Sequence, residues 1–267
     1  MAAKRESSSY RDVAALGSSF AAGPGISPTV DRFANRSGRN YAHLLAGRLG
    51  ARLTDLTVTA ATTANLLERP QRVLIRKFPP QIEGVPGDAD LVTITAGGND
   101  LEYLGSMTRL AWANWLRARR LVRPVGDALG RKATPAITPA DVERVASALA
   151  RTVEGARGAA PNARVLLVDY LTVVGDSTRR AEDCPLDESA IAAYRTIGEQ
   201  LAEGFAAAAR TSGAGLVRVS EPSRTHPVGS DDPWVSGFRP RSMMIQFHPN
   251  AAGMEAVADE IIRTLGA

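Results

Sequence analysis

Cysteine and histidine are both scarce in this sequence. Of its 267 residues, one is cysteine (Cys184) and three are histidine. A lone cysteine cannot form an intrachain disulfide, and there is no cysteine cluster of the kind that holds a structural metal. The cysteine count therefore favours a reducing compartment. The histidine count leaves only three candidates for a catalytic base.

Long apolar runs are also missing. No stretch of the sequence approaches the roughly 18 to 20 uninterrupted apolar residues that a membrane-spanning helix needs. Residues 1–11 are polar and charged, without the apolar core of a secretory signal. From these absences we expect a soluble, cytoplasmic protein with no membrane span.

Aromatic residues make up only 5% of the chain, and the excess of positive charge is small. Lys and Arg total 32 against 28 Asp and Glu, which gives a net charge of +4. Proteins that bind nucleic acids more often combine a strong basic patch with exposed aromatic side chains. The composition thus argues against a nucleic-acid partner.

What the sequence does contain is a regular alternation of strand-like and helix-like segments. Short apolar runs typical of buried strands alternate with amphipathic stretches typical of helices. The strand-like runs lie at residues 13–16, 53–58, 91–96, 165–168 and 216–219. This alternation predicts an α/β fold in which about five parallel strands carry helices on both faces.

The pattern predicts one domain, residues 11–267, behind a mobile lead-in of residues 1–10. Residues 101–138 interrupt the alternation with an arginine-rich, mostly helical stretch that we interpret as an insertion. Trp112 and Trp115 lie three residues apart within it, so they share a helix face. We expect them to pack the insertion onto the core; lining an apolar substrate cleft is the alternative.

Three loops of small and polar residues follow predicted strands. The first contains Ser18 and Ser19, the second runs through residues 59–63, and the third is residues 97–100. The carboxyl ends of parallel strands meet at one edge of the sheet, where ligands bind in such folds. Ser19 could act there as a nucleophile; a phosphate-binding loop or a plain strand-to-helix turn are the alternatives.

A serine nucleophile needs a base, and His248 is the best placed of the three histidines. It immediately precedes Pro249 and an amphipathic helix pattern, which fixes it at a loop-to-helix junction. His43 lies within a helix pattern, and His226 lies in a polar loop. From position alone, His248 could equally be a structural or capping residue.

Three blocks of the chain, in their order, resemble those of the GDSL, or SGNH, hydrolases. They are GSSFAAG at residues 17–23, GGND at 97–100 and FHPNAAG at 247–253, and residues 36–63 also resemble actinobacterial esterases of that family. The resemblance implies a three-layer, flavodoxin-like α/β fold. It implies a hydrolase that acts on a small-molecule ester and needs no metal or organic cofactor.

The resemblance also implies a role for individual residues. Ser19 is the implied nucleophile and His248 the implied general base. The implied oxyanion hole consists of the backbone amides of Ser19 and Ala60 together with the side chain of Asn99. Donors aimed at the developing oxyanion are each worth roughly 3 to 4 kcal/mol in such reactions.

The chain departs from the family pattern at three positions. Ser18 stands where the family usually has aspartate, Ala60 where it has glycine, and Ile245 where the acidic partner of the histidine normally lies. An ester hydrolase of the esterase or lipase type fits the sequence best, with a carbohydrate O-acetylesterase as an alternative on the same machinery. The three departures keep open a non-hydrolytic binding protein on the same fold.

Without an acid at position 245, another acceptor must orient His248. We expect this acceptor to be a backbone carbonyl at or near Ile245. Asp231 or Asp232, folding back from the preceding loop, is the alternative. An acceptor of either kind fixes the imidazole tautomer, but a carbonyl stabilises the imidazolium less than a full negative charge does.

Overall fold

The computed structural model describes residues 10–131, 135–242 and 246–266. Apart from Tyr10, the predicted lead-in lies outside the described residues. So do Ile245 and residues 132–134 of the predicted insertion.

The strands of the described residues form one large sheet and two hairpins. In chain order they are β1 (Asp12–Gly17), β2 (Thr29–Asp31), β3 (Arg36–Ser37), β4 (Arg52–Asp55), β5 (Gln71–Val73), β6 (Arg76–Phe78), β7 (Leu91–Thr95), β8 (Arg164–Val168) and β9 (Gly215–Val217). The large sheet has the order β4-β1-β7-β8-β9, and every neighbouring pair is parallel. The predicted five-stranded parallel sheet is confirmed, whereas the antiparallel pairs β2–β3 and β5–β6 were not predicted.

The helices surround the large sheet. They are α1 (Ser19–Ala22), α2 (Tyr41–Leu49), α3 (Thr63–Leu67), α4 (Tyr103–Arg117), α5 (Arg123–Leu129), α6 (Pro139–Ala159), α7 (Glu188–Ser212) and α8 (Ala251–Leu265). Because crossovers between parallel strands are right-handed, the helices that follow β1 and β7 cover opposite faces. Accordingly α2 packs with α8 and α6 packs with α7, which gives the three layers of the fold.

The strands β1 and β7 are buried along almost their whole length because helices cover both of their faces. Ala14, Ala15 and Leu16 of β1 are completely buried, as are Leu91 and Ile94 of β7. Burial on both faces leaves these strands without the solvent-facing row of a half-exposed strand. The rigid centre of the molecule is therefore the β1–β7 pair.

The stretch predicted as an insertion contains α4 and α5 in its described part. The Trp112 ring packs edge-on against Trp115 at a centroid distance of 5.4 Å and against Phe238 at 5.2 Å. The two tryptophans share a helix face as predicted, and Trp112 packs α4 onto the chain around Phe238. That residues 101–138 are an insertion stays a prediction.

The chain reverses its direction of travel across the sheet between β1 and β7. From β1 it proceeds to β4 at one edge, and from β7 it proceeds to β8 and β9 at the other. Ligands of open parallel sheets bind at such a reversal, beyond the carboxyl ends of the strands. Ser19 directly follows β1 and Asn99 follows β7, so both lie at this point.

Candidate active site

Ser19 is the first residue of α1, a single helical turn that begins where β1 ends. The backbone is tightly packed at that bend, because a Cβ added to Gly17 would lie 2.5 Å from the Thr95 carbonyl oxygen and 2.8 Å from the Ala21 Cβ. The Ser18 N–H donates to the same Thr95 carbonyl at 2.9 Å. Only glycine at position 17 lets β1 turn this closely against β7 and present Ser19 at the edge of the sheet.

Gln81 holds the last residue of β1 from the side. Its buried amide accepts from the Gly17 N–H at 2.8 Å through Oε1 and donates to the Gly17 carbonyl at 3.0 Å through Nε2. The pair of bonds adds to the pairing of Gly17 with Thr95 of β7 and fixes the end of β1. Sequence reasoning did not identify Gln81, because an isolated glutamine carries no pattern.

The structure brings His248 into contact with Ser19. The distance from His248 Nε2 to Ser19 Oγ is 2.8 Å, and His248 Nδ1 lies 2.6 Å from the carbonyl oxygen of Gln246. A carbonyl only accepts, so Nδ1 carries the hydrogen and Nε2 presents its lone pair to the serine hydroxyl. This is the tautomer that a general base facing Ser19 requires.

The Gln246 carbonyl reaches His248 because the residue between them has an uncommon backbone conformation. Phe247 has φ = +57°, in the left-handed region, and its ring is fully buried. A bulky residue adopts this conformation only where its surroundings impose it. Gln246 is itself buried and pairs with the backbone of Arg239, its Nε2 donating to the Arg239 carbonyl at 2.7 Å.

The beginning of α8 fixes the other side of His248. Asn250 caps this helix by accepting from the Gly253 N–H at 2.9 Å, and its N–H donates to the Trp234 carbonyl at the same distance. The first bond fixes the beginning of α8, and the second ties the His248 loop to the neighbouring chain at Trp234. The imidazole is therefore held from both directions along the sequence.

Neither aspartate considered as an orienting acid is brought to His248. Asp231 and Asp232 are both exposed, and the Asp232 carbonyl lies 2.7 Å from Nδ1 of His226. The His226 ring in turn stacks on Trp234 at a centroid distance of 3.9 Å. The aspartate alternative is wrong, and Ile245 lies outside the described residues; the acceptor that the structure shows is the next carbonyl, that of Gln246.

Burial without a carboxylate determines the protonation state of His248. Loss of water around the ring lowers its pKa to about 4, and the hydrogen bond to the Gln246 carbonyl opposes this shift only in part. A buried imidazolium without a neighbouring negative charge is poorly solvated, so the neutral form is favoured. His248 is consequently neutral at neutral pH and can accept a proton.

The three N–H groups predicted for an oxyanion hole belong to loops that follow β1, β4 and β7. Within the described ranges, the backbone N–H groups of Ser19 and Ala60 donate to no protein acceptor. Asn99 Nδ2 donates one hydrogen to the Ala61 carbonyl at 2.8 Å, which leaves its second hydrogen free. Unused donors of this kind at a reactive serine are suited to stabilising negative charge.

Ala60 has the backbone conformation that glycine adopts without strain. Its φ is +66°, in the left-handed region, where an alanine costs roughly 1 to 2 kcal/mol more than glycine. The Gln71 side chain donates to the Thr59 carbonyl through Nε2 at 2.8 Å. Because the Thr59 carbonyl and the Ala60 N–H belong to one peptide group, this bond also fixes the direction of the Ala60 N–H.

Two further contacts join the loops at the carboxyl edge. Asp100 accepts from the Thr63 hydroxyl at 2.6 Å, and the Tyr170 hydroxyl lies 3.1 Å from Ser18 Oγ and accepts from the Gly98 N–H at 3.2 Å. The loops that follow β1, β4, β7 and β8 thus form one network. Tyr170 is thus the hydrogen-bond partner of Ser18. No local pattern in the sequence identifies Tyr170 in this role.

The described residues contain neither a cluster suited to a metal ion nor a membrane-spanning helix. Within those ranges, no group of at least three His, Cys, Asp or Glu side chains is placed to hold a metal ion. None of the described helices is both long and apolar enough to cross a membrane.

Comparison with known proteins gives a consistent result over almost the whole chain. Residues 15–256 match the GDSL-like Lipase/Acylhydrolase family. Lipase 2 of Streptomyces coelicolor is 30% identical over 275 residues, covering 99% of this chain and 89% of that protein.

Solved structures of the same fold cover this chain end to end. Phospholipase A1 from Streptomyces albidoflavus is 19% identical with a TM-score of 0.73, and an extracellular lipase from Streptomyces rimosus is 21% identical with a TM-score of 0.70. Each comparison covers 96% of this chain and 98% of the other. At these identities the structures establish the shared three-layer fold.

The expectation of a cytoplasmic location is wrong. It is overturned by the relatives, among which the Streptomyces rimosus enzyme is described as an extracellular lipase. The physical reason for the error is that a chain with one cysteine forms no intrachain disulfide in either environment. The cysteine count therefore could not distinguish the two compartments.

Proposed function

The chain belongs to the GDSL-like Lipase/Acylhydrolase family of serine ester hydrolases, and within that activity we propose that Ser19 is the nucleophile and His248 its general base. The observation that carries the proposal is the 2.8 Å contact between His248 Nε2 and Ser19 Oγ. It is supported by the neutral state of the imidazole, which leaves Nε2 free to take the serine proton.

Acylation begins when Ser19 Oγ attacks the ester carbonyl carbon while its proton passes to His248 Nε2. The carbonyl oxygen becomes negatively charged and is bound by the N–H groups of Ser19 and Ala60 and by Asn99 Nδ2. The imidazolium then returns the proton to the departing alcohol oxygen, which leaves an acyl-enzyme.

Deacylation repeats these steps with water as the nucleophile. His248 Nε2 takes a proton from the water, the same donors bind the second oxyanion, and Ser19 Oγ leaves with the proton returned by the imidazolium. The Gln246 carbonyl accepts from Nδ1 throughout and keeps Nε2 directed at the reacting oxygen. The proposed catalytic group is a serine–histidine dyad, since no carboxylate of the described residues faces the His248 ring.

We assign an ester with an aliphatic acyl chain as the substrate and a site of action outside the cytoplasm. The 30% identity to Streptomyces coelicolor Lipase 2 supports the substrate, and the extracellular lipase of the same fold supports the location. Hydrolysis rates of p-nitrophenyl octanoate and acetate measure the chain-length preference. Faster turnover of octanoate agrees with a lipid ester, and turnover of acetate alone indicates an O-acetylesterase.

A fluorophosphonate probe tests the assignment of the dyad. We expect the wild-type protein to be labelled at Ser19, with labelling abolished in Ser19→Ala and slowed by about a thousandfold or more in His248→Ala. Matched controls are Ser18→Ala and His226→Ala, which remove the neighbouring hydroxyl and another imidazole of the chain. Loss of labelling in either control as large as in Ser19→Ala or His248→Ala contradicts the assignment, as does a folded wild type that takes no label.

A further inference from the structure

The turn between β5 and β6 consists of two exposed apolar residues. Val73 pairs with Arg76, so Leu74 and Ile75 are the two central residues of a tight hairpin turn. Their relative exposures are 82% and 85%, among the highest for large apolar side chains in the described ranges. Such turns are usually formed by glycine, asparagine or aspartate.

Leu74 is also unfavourable in its backbone conformation. Its φ is +53°, in the left-handed region that favours glycine and asparagine. The turn therefore combines a conformational cost with the cost of two large apolar side chains in water. Local choices that oppose stability in this way are expected at functional sites.

The sides of the same hairpin are strongly basic. Residues 69–82 contain Arg69, Arg72, Arg76 and Lys77 and no acidic residue, and all four basic side chains are exposed. Arg72 and Lys77 stand directly opposite each other in the strand register. Like charges in that relation repel, and an anion placed between them relieves the repulsion.

We propose that the β5–β6 hairpin binds anionic phospholipid surfaces, with Leu74 and Ile75 inserted among the lipids and Arg72 and Lys77 contacting lipid phosphates. An apolar tip flanked by Lys and Arg is the combination that lies in a membrane interface, where apolar burial and attraction to anionic lipids add. A protein partner would pair these charges individually, whereas a lipid surface supplies many anions around one apolar tip.

The position of the hairpin joins this surface to the proposed active site. Gln71, the first residue of β5, contacts the Thr59 carbonyl next to Ala60. Leu74 follows Gln71 by three residues, so the tip lies about 10 Å along the strand from Gln71. Lipid held at the tip is thus bound by the same hairpin that contacts the proposed oxyanion loop; only this last point rests on the proposed function.

Vesicle binding by the full chain carrying Ser19→Ala tests the proposal without lipid hydrolysis. We expect cosedimentation with vesicles of phosphatidylglycerol and phosphatidylcholine, weaker binding at high salt, and little binding to phosphatidylcholine alone. In that background Arg72→Gln with Lys77→Gln should weaken binding by roughly 10- to 30-fold. Failure of the parent protein to bind anionic vesicles overturns the proposal.

The apolar tip is tested by the pair Leu74→Gly and Ile75→Ser. Glycine followed by a polar residue suits a two-residue turn, so this variant should keep or raise Tm while binding falls at least about tenfold. The matched control is Leu121→Ser, which removes an apolar side chain of 96% exposure from a second arginine-rich segment. Equal loss in the control, or unchanged binding in the hairpin variant, overturns the assignment to this hairpin.

Turnover of a dissolved ester distinguishes this proposal from that of the dyad. In the otherwise wild-type protein, the two hairpin variants should hydrolyse p-nitrophenyl acetate at the normal rate and lose activity only on vesicle-bound ester. If the fluorophosphonate probe fails to label Ser19 but vesicles are bound through the hairpin, the dyad is wrong and the lipid-binding surface stands.

Discussion

The proposed base, His248, contacts a backbone carbonyl at the position where many hydrolases place a carboxylate. The Gln246 carbonyl fixes the tautomer as an aspartate does, but its partial charge stabilises the imidazolium less. The same absence of charge keeps the ring neutral and ready to accept a proton in moderately acidic solution. The carbonyl therefore keeps the imidazole oriented, but the ring is a weaker base than it would be beside a carboxylate.

The lowered pKa of His248 predicts the acidic limb of the pH–rate profile. The base must be unprotonated, and a pKa that falls from 6.5 to about 4 delays its protonation to lower pH. We therefore expect kcat/KM for a soluble ester to remain on its plateau below pH 6.5 and to decline as the pH approaches about 4. Circular dichroism at each pH is the control for unfolding; a half-maximal rate at or above pH 6.5 contradicts the prediction.

Gln71 is predicted to act on catalysis through the Thr59–Ala60 peptide. Gln71→Met removes the donor to the Thr59 carbonyl at similar side-chain length, so the Ala60 N–H loses its fixed direction. We expect kcat on a soluble ester to fall by about 10- to 100-fold with little change in KM, because the oxyanion exists only in the transition state. Steady-state kinetics measure both constants.

Ala60→Gly provides the control for this prediction. Glycine adopts φ near +66° without strain, so the loop depends less on Gln71 in that background. Gln71→Met should then cost less in kcat than it does in the wild type. Equal losses in the two backgrounds, or a change confined to KM, would show that Gln71 does not orient this peptide.

At the scale of single residues, the sequence indicated that Ser19 and His248 meet, but not that the carbonyl beside the histidine is that of Gln246. Ser19, His248 and the proposed oxyanion donor Asn99 are recognisable because their neighbours form family blocks. The acceptor at Gln246 depends on the backbone angle of Phe247, which side-chain identity does not specify. Gln71, Gln81 and Tyr170 act through long-range contacts that leave no local pattern.

At the scale of the elements, the bend between β1 and α1 has little space for added atoms. A methyl group at Gly17 meets the Thr95 carbonyl oxygen at 2.5 Å, and backbone atoms there cannot move without shifting β7. Overpacking of this kind distorts the strands that precede Ser19 and Asn99. The packing of β1 against β7 and the position of the proposed nucleophile therefore depend on the same glycine.

Gly17→Ala is predicted to destabilise the fold by about 1 to 3 kcal/mol and to reduce ester hydrolysis in the folded fraction. Thermal and urea unfolding measure the stability. The matched substitution is Gly47→Ala in α2, where an added Cβ has no atom within 4 Å. That change should stabilise by about 0.5 to 1 kcal/mol, because alanine is the better helix former; two effects of the same sign would contradict the argument.

The elements of the main sheet were predictable because burial leaves an apolar run in each strand. Their ends were less so: the run predicted at residues 53–58 is strand only from Arg52 to Asp55. The hairpins β2–β3 and β5–β6 were missed because their strands are at most three residues long and carry no alternation. Pairing of such short strands is set by tertiary contacts, such as that between Arg76 and Asp31.

At the scale of the whole molecule, the reaction rate of the single thiol, that of Cys184, measures unfolding of the protein. Cys184 is fully buried, and burial raises the pKa of its thiol to about 11. Only the thiolate reacts quickly, so both access and ionisation protect it in the native state. We expect no reaction with a disulfide reagent until the fold opens, at a rate that follows unfolding in urea; rapid labelling under native conditions contradicts this prediction.

At the scale of the whole molecule, a parallel sheet of about five strands with helices on both faces followed from the alternation of strands and helices, whereas its flavodoxin-like form was implied by the family resemblance. The location of the protein could not be predicted from the sequence, because neither the net charge nor the cysteine count differs reliably between compartments. The extent of the predicted insertion also stays a prediction, as it depends on how relatives are built and not on packing within this chain.

The β5–β6 hairpin connects the Thr59–Ala60 peptide to an exposed apolar turn. The strand whose first residue steadies the Thr59–Ala60 peptide ends, three residues later, in the exposed Leu74–Ile75 turn. If a lipid surface immobilises the turn, we expect the hydrogen bond from Gln71 to transmit part of that restraint to the Thr59–Ala60 peptide. Adsorption would then do more than concentrate substrate: it would damp the fluctuations of an oxyanion donor, so that turnover per bound enzyme rises when the ester is aggregated.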